Sequence, residues 1–174
     1  MIRITGPLTL YFLLAGPGLA FAQTTDLEGS WVLTVGEDPS SYEVVASLQQ
    51  GSANTIKDEY ATKDVVPQLM LRCAPGDPTI TARIDWQRFI SSFNTEVGFK
   101  VDDNKTLWLK WRVDRSNKIT LSPSADDSRN LVEHLQEGTS LQVEVAPYSE
   151  PPVTVDYDLT GFTKGLEALL KECA

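Results

Sequence analysis

The sequence predicts a mainly β (α+β) protein: an antiparallel β-sandwich or open barrel of about nine strands, with one internal helix and a C-terminal helix. Three observations carry this. Apolar and polar residues alternate in short segments between residues 31 and 159. Clusters of turn-forming residues separate those segments. Only two stretches change to a helical period.

The strands follow in chain order. Trp31, Leu33 and Val35 share one face of a first strand, and Val44, Ala46 and Leu48 one face of a second. Leu69, Leu71 and Cys73 mark a third, and Ile80, Ala82 and Ile84 a fourth. The run Ala74-Pro75-Gly76-Asp77-Pro78 between these two predicts a hairpin. Val97, Phe99 and Val101 give a fifth strand. The turn Asp102-Asp103-Asn104-Lys105 leads from it to a sixth with Leu107, Leu109, Trp111 and Val113. Ile119 and Leu121 suggest a short seventh, and Leu141, Val143 and Val145 an eighth. Val153, Val155, Tyr157 and Leu159 form the ninth. One apolar and one mostly polar face per strand is the pattern of antiparallel sheets with one solvated side. Two such faces bury each other in a sandwich or an open barrel.

Residues 126–137 (DDSRNLVEHLQE) begin with acids and end before Gly138, as a helix does, with Leu131, Val132 and Leu135 as its buried stripe. Residues 163–172 predict the second helix, with Phe162, Leu166, Leu169, Leu170 and Cys173 at helical spacing. Residues 49–67 show no period and read as a long loop.

Residues 1–22 read as a secretory signal peptide. Arg3 supplies the positive start, residues 8–14 (LTLYFLL) the apolar region, and Ala20-Phe21-Ala22 the small-x-small site. The apolar run is too short for a membrane span, which needs about 20 residues. Cleavage after Ala22 leaves residues 23–174 as a single β-sandwich-like domain with no membrane span, delivered to the periplasm. The two cysteines, Cys73 and Cys173, are an even count in an exported chain and read as a disulfide. Closing so long a loop is worth about 4.7 kcal/mol in the chain-entropy model.

The charge narrows the function. The chain has 174 residues with 15 Lys and Arg against 24 Asp and Glu, a formal net charge of -9. That argues against a nucleic-acid binder, which needs a basic face to neutralise phosphates. No nucleophile-elbow, zinc-protease, phosphate-loop or calcium-loop pattern occurs. His134, the single histidine, falls in the internal helix and reads as a helix-surface residue without a nucleophile or orienting partner. Asp156 and Asp158 stand two apart on one strand, about 7 Å from each other. That spacing admits glycosidase chemistry, but an outward polar strand face explains both. The sequence thus names no catalytic residue, no metal ligand and no cofactor. Asn104-Lys105-Thr106 matches a glycosylation sequon, relevant only in a eukaryotic secretory route. The sixth strand carries the candidate binding surface: Trp108 shares its outward face with Lys110 and Arg112. Such a Trp either contacts a partner or a sugar ring, or lies under a loop or the C-terminal helix.

Several motifs resemble one family. Leu71-Arg72-Cys73 precedes the strand at 79–85 (TITARID), and Pro147-Tyr148 is followed by Pro152-Val153-Thr154. Tyr157-Asp158-Leu159-Thr160-Gly161 then leads into a leucine-rich helix ending in Glu172-Cys173. In these the chain resembles the type VI secretion-associated VasI/TagO-like family, over most of residues 29–173 and most specifically in the C-terminal third. The run from Trp111 to Asn117 departs from the family's Trp-x-x-Ser-x-Asp stretch. The resemblance implies a periplasmic accessory protein of a contractile secretion machine, carries over no catalytic residue, and supports the Cys73–Cys173 pair. The leading expectation is therefore a non-enzymatic accessory protein whose partner is another periplasmic or envelope protein. A module binding glycan or peptidoglycan fragments is the second reading, and a cell-wall-acting enzyme the third.

Overall fold

The structure is a computed structural model, and it describes residues 22–38 and 41–174. The expected signal peptide lies, apart from Ala22, outside the described residues.

Strands β1 (Gln23–Asp26), β2 (Val32–Glu37) and β3 (Val44–Gly51) open the chain. A ribbon of β4 (Ile56–Lys57) and β5 (Asp64–Val65) follows. Then come β6 (Gln68–Ala74), β7 (Asp77–Asp85), β8 (Thr95–Val101), β9 (Leu107–Val113) and β10 (Ile119–Leu121). Helix α1 (Ala125–Gln136), β11 (Ser140–Val145), β12 (Val153–Asp158) and helix α2 (Phe162–Cys173) complete it. Ten strands form one open antiparallel sheet in the order β1-β2-β3-β6-β7-β10-β9-β8-β11-β12, and β4 and β5 pair separately. The mainly β, sandwich-like or open-barrel class read from alternation is the class observed.

The inward residues are those the period-two pattern selects. Leu48, Leu69, Leu71, Ala82, Ile84, Val97, Phe99, Trp111, Val143 and Val155 are buried. Phe99 packs on Trp111 across adjacent strands, ring centroids 5.0 Å apart. Helix α2 lies against the inward side of β2, β3, β6 and β7. Its Phe162 meets Trp31 at 5.1 Å, and Gly165 lets the helix come down onto Leu48. Cys173, on the last turn, is bonded to Cys73 of β6, with Cα atoms 5.9 Å apart. In α1, Leu131, Val132 and Leu135 are buried as expected, and the Ser124 hydroxyl caps the helix by accepting from Asp127 N.

An open sheet leaves two edges with free backbone groups. The segment after β3 covers one of them. Ala53 N donates to Asp156 O of β12 (2.7 Å), and the Asn54 side chain donates to Thr154 O (3.1 Å) and accepts from Asp156 N (2.8 Å). The turn before β2 closes on the turn before α2. Gly29 and Gly161 both have positive φ, and a Cβ on either would collide with the backbone of Thr160 or Glu28.

To the nine strands read from alternation the sheet adds one, because the polar segment Gln23–Asp26 pairs with β2, and polar edge strands give no alternation signal. Three expectations need correction. Residues 49–67 are not one loop: β3 runs to Gly51 and the β4–β5 ribbon follows. In β10 the fully buried residue is Thr120, not Ile119 or Leu121, because its hydroxyl accepts from the buried Trp86 indole at 3.0 Å. Leu170 of α2 is exposed, one residue beyond the stripe formed by Phe162, Leu166, Leu169 and Cys173.

Candidate functional site

Strand register gathers four connections at one end of the sheet. Asp85, where β7 ends, is opposite Gln68 at the start of β6 and Ile119 at the start of β10. The segment 52–67, the loop 86–94 and the turn 114–118 therefore meet. Val97 opposite Val145 adds the turn 146–152 between β11 and β12.

Polar contacts lock these connections together. Asp58 closes its own turn, accepting from Thr62 N and Thr62 Oγ1 (both 2.7 Å) and from Lys63 N (3.3 Å). The Thr62 hydroxyl and those amides hold its carboxyl below the usual carboxylate range. Glu59 accepts from Phe89 N (3.4 Å) and pairs with Lys118 (3.2 Å), so it ties three segments. Its carboxyl is also held low, first by its own backbone N–H and then by Lys118. The buried guanidinium of Arg88 donates to Lys57 O (2.8 Å) and pairs with Glu150 (2.5 Å), joining the ribbon to the β11–β12 turn. Backbone bonds add to this: Tyr148 N to Ile90 O at 2.7 Å, Ile90 N to Asn117 O at 2.8 Å, and Trp86 N to Lys118 O at 3.0 Å. Asp64 pairs with Lys57, and Asp114 accepts from Ser116. Every carboxylate on the four connections is thus engaged internally, on a chain whose net charge is -9.

What this framework leaves outside is aromatic. Tyr60 is 77% exposed, Phe93 69% and Tyr148 63%, one on each of three different loops. Rigidly held loops with exposed aromatic tips offer large contact area at low ordering cost. Sequence reasoning missed Tyr60 and Phe93, because a loop has no period to betray an outward ring. It met Tyr148 only as part of a motif.

The sequence-predicted surface is in place on the outward face of β9. Trp108 is 49% exposed, and Lys110 and Arg112 beside it are exposed. It is not covered by the C-terminal helix, which packs against the inward side of other strands. The six-membered part of its ring rests on the opposite strand at Gly98, where a Cβ would come within 2.9 Å of Cζ3 and Cη2. An aromatic covering a cross-strand glycine is itself a sheet-stabilising device.

The remaining candidates are held apart. Asp156 accepts from Gln142 Nε2 at 3.1 Å, and Asp158 caps the next turn by accepting from Thr160 N at 2.8 Å. That bond holds Asp158 below the carboxylate range, opposite to what a general acid requires. His134 is half-buried rather than on the helix surface, with Nε2 buried and unpartnered. Among the described residues no three His, Cys, Asp or Glu side chains are placed to hold a metal, and no helix is long and apolar enough to cross a membrane.

No family model and no curated protein matches the chain. Among solved structures it is similar to the crystal structure of invasion associated protein B from Bartonella henselae. The two share 16% identity and a TM-score of 0.53, over 86% of this chain and 96% of that one. At that identity the likeness speaks for the fold alone.

Proposed function

We propose that the chain is an exported accessory protein that catalyses no reaction and acts by binding another periplasmic or envelope protein. The observation that carries this reading is the loop end. Four connections are fixed by ion pairs, one of them to the buried Arg88, and by backbone bonds, and the rings of Tyr60, Phe93 and Tyr148 are left in solvent. Aromatic side chains on a rigid frame are the kind that dominate binding energy between proteins. The Cys73–Cys173 bond supports the exported half, because such bonds persist in oxidising compartments. The motifs at 71–73 and 147–161 supply the setting, an accessory role like that of the type VI secretion-associated family.

The test is site-specific photo-crosslinking in the intact envelope, with the probe at Phe93 and, as control, at Glu172 on α2. One defined adduct from Phe93, absent from the control and lost in a Tyr60→Ser/Tyr148→Ser variant that melts normally, is the expected result. No adduct from Phe93 contradicts the reading.

A second reading, a module for glycan or peptidoglycan fragments, is favoured by Trp108. Its half-exposed ring over Gly98 shares the outward strand face with Lys110 and Arg112, an amphipathic ring beside polar groups, able to stack on a sugar. Saturable calorimetric binding of such fragments, abolished by Trp108→Ala, would establish it in place of the first.

A further inference from the structure

A second surface, on the outward side of β3, β6 and β7, is independent of the loop end. Alternation turns Arg72, Thr79, Thr81 and Arg83 to that side, and the register Arg72 opposite Thr81 and Met70 opposite Arg83 sets the two arginines on one diagonal. They line a groove of about 390 Å³ with the Ser41 hydroxyl at its rim. A hollow of about 220 Å³ over β2, β3 and β6 continues it, sharing Asp38, Val45 and Arg72.

The two arginines differ in one respect. Arg72 forms an ion pair with Asp38. Arg83 is half-buried, its side chain makes no hydrogen bond or ion pair among the described residues, and its Nε is buried and unpartnered. Arg88 and Arg129 have carboxylate partners, Arg112 donates to Ser122 O, and Arg115 is exposed. Burial, with Arg72 nearby, pulls Arg83 below the ordinary guanidinium range, while Asp38, Asp114 and Asp85 act against this without bonding to it. Nε itself is shut off from the groove, but a half-buried cation without a bonded counter-charge is costly unless a ligand meets the rest of the fork. The connecting hollow holds a second unmet group: Ser47, nine-tenths buried, has an Oγ without a partner.

We propose that this groove binds the C-terminal end of a peptide, its free carboxylate on Arg83 and its preceding residue along Val45 and Ser47. The planar guanidinium fork matches a carboxylate, and the hydroxyls of Ser41 and Thr81 are further donors. The acids at the rim set the charge of the ligand. Asp38 is taken by Arg72, Asp77 accepts from Thr79 N at 2.9 Å, and Glu43 is exposed. These three carboxylates line the groove beside the two arginines, with Glu37 in the hollow and Asp85 and Asp114 acting on Arg83, so the site repels a multiply charged phosphate and tolerates at most a single carboxylate. The groove is also the size of a small-ligand site.

The test uses the exported protein with three probes: N-acetyl-trialanine, its C-terminal amide, and inorganic phosphate, read by calorimetry and melting temperature. The free acid is expected to bind saturably and raise the melting temperature, with the amide weaker by about tenfold or more, the loss of one charge-assisted bond. Arg83→Gln should abolish binding, yet melt at or above the wild-type temperature without ligand, since it removes an unpaired charge. A purely structural arginine would lower that temperature. Arg83→Lys keeps the charge without the fork, and is expected to fold and bind about tenfold more weakly. Equal binding of acid and amide, binding of phosphate in preference to the acid, no binding by the wild type, or full binding by Arg83→Lys would each overturn the proposal.

Discussion

The loop end and the helix-covered side of this molecule are both ordered, but by different means. On the helix side apolar groups turn inward. Phe162 and Trp31 meet ring to ring, Leu131 and Leu135 are buried, and a disulfide fastens the last turn of α2 to β6. At the loop end Trp86 and Ile90 are buried as well, but charged and backbone groups turn inward beside them. Arg88, Asp58 and Glu59 make the contacts, while Tyr60, Phe93 and Tyr148 stay in water. Apolar packing consumes the aromatic surface that makes it stable. A polar framework fixes the backbone and leaves that surface free for a partner, which is why a binding face is better built at the second place than at the first.

The largest expected effect falls on the helix side. Cys73→Ser should lower unfolding free energy by about 2–5 kcal/mol, the usual loss for a native bridge. Denaturant unfolding with and without reductant measures it. If reductant leaves the wild-type midpoint where it was, α2 is held by its apolar stripe alone. The next effect belongs to the loop end. Glu150→Ala strands the buried Arg88 guanidinium, and the cost of an unpaired buried charge is about 3 kcal/mol. Urea melts of the variant would show it. Arg88→Met/Glu150→Ala, which removes both charges, should recover part of the loss. If the double variant is no better than the single, the ion pair does not organise this end. Tyr60→Ser/Phe93→Ser should change stability by less than about 0.5 kcal/mol, as exposed substitutions do, and weaken partner binding by about 2 kcal/mol or more, as hot spots do. A drop in melting temperature instead would mean that these rings serve the fold.

The same contrast explains what was legible in the sequence. The helix side was readable because burial imposes a period. Leu131, Val132 and Leu135 in α1, and Phe162, Leu166 and Leu169 in α2, are where spacing puts them, and the only two cysteines meet. Alternation also separated inward Trp111 from outward Trp108. The loop end was illegible because its contacts follow no period. Nothing local in Asp58 announces that Thr62 and Lys63 fold back onto it, and nothing in Glu59 points to Lys118, 59 residues away. Thr120 was misread for a related reason: a buried hydroxyl looks polar in sequence and is core only because the Trp86 indole donates to it. Gly98 under Trp108 is a cross-strand relation that a single strand's sequence does not contain.

The smallest expected effect compares the two regions through pH. Asp58 at the loop end is held low, first by the Thr62 hydroxyl. Asp102, which ties the β8–β9 turn to the start of β11, is held low first by Ser140 N (2.9 Å) and then by the Thr139 hydroxyl (2.9 Å). A carboxyl whose pKa is lower folded than unfolded contributes stability that is complete above its unfolded value, near 3.8, and is lost as pH falls through its folded value. Melting temperature should therefore be insensitive to these two groups between pH 7 and 5 and decline below about pH 4, where both regions lose their bonds. Asp58→Asn should lower the neutral-pH melting temperature slightly and flatten the acid decline, since a side chain that cannot titrate cannot contribute to it. Limited proteolysis locates the change. In the wild type at pH 3, cleavage between residues 58 and 63 should precede cleavage elsewhere, because that turn has only the two-pair β4–β5 ladder beside it, where the Asp102 junction has the five-pair β8–β11 ladder. Cleavage that begins instead near residues 102–106 would place the weaker region on the helix side and reverse the comparison.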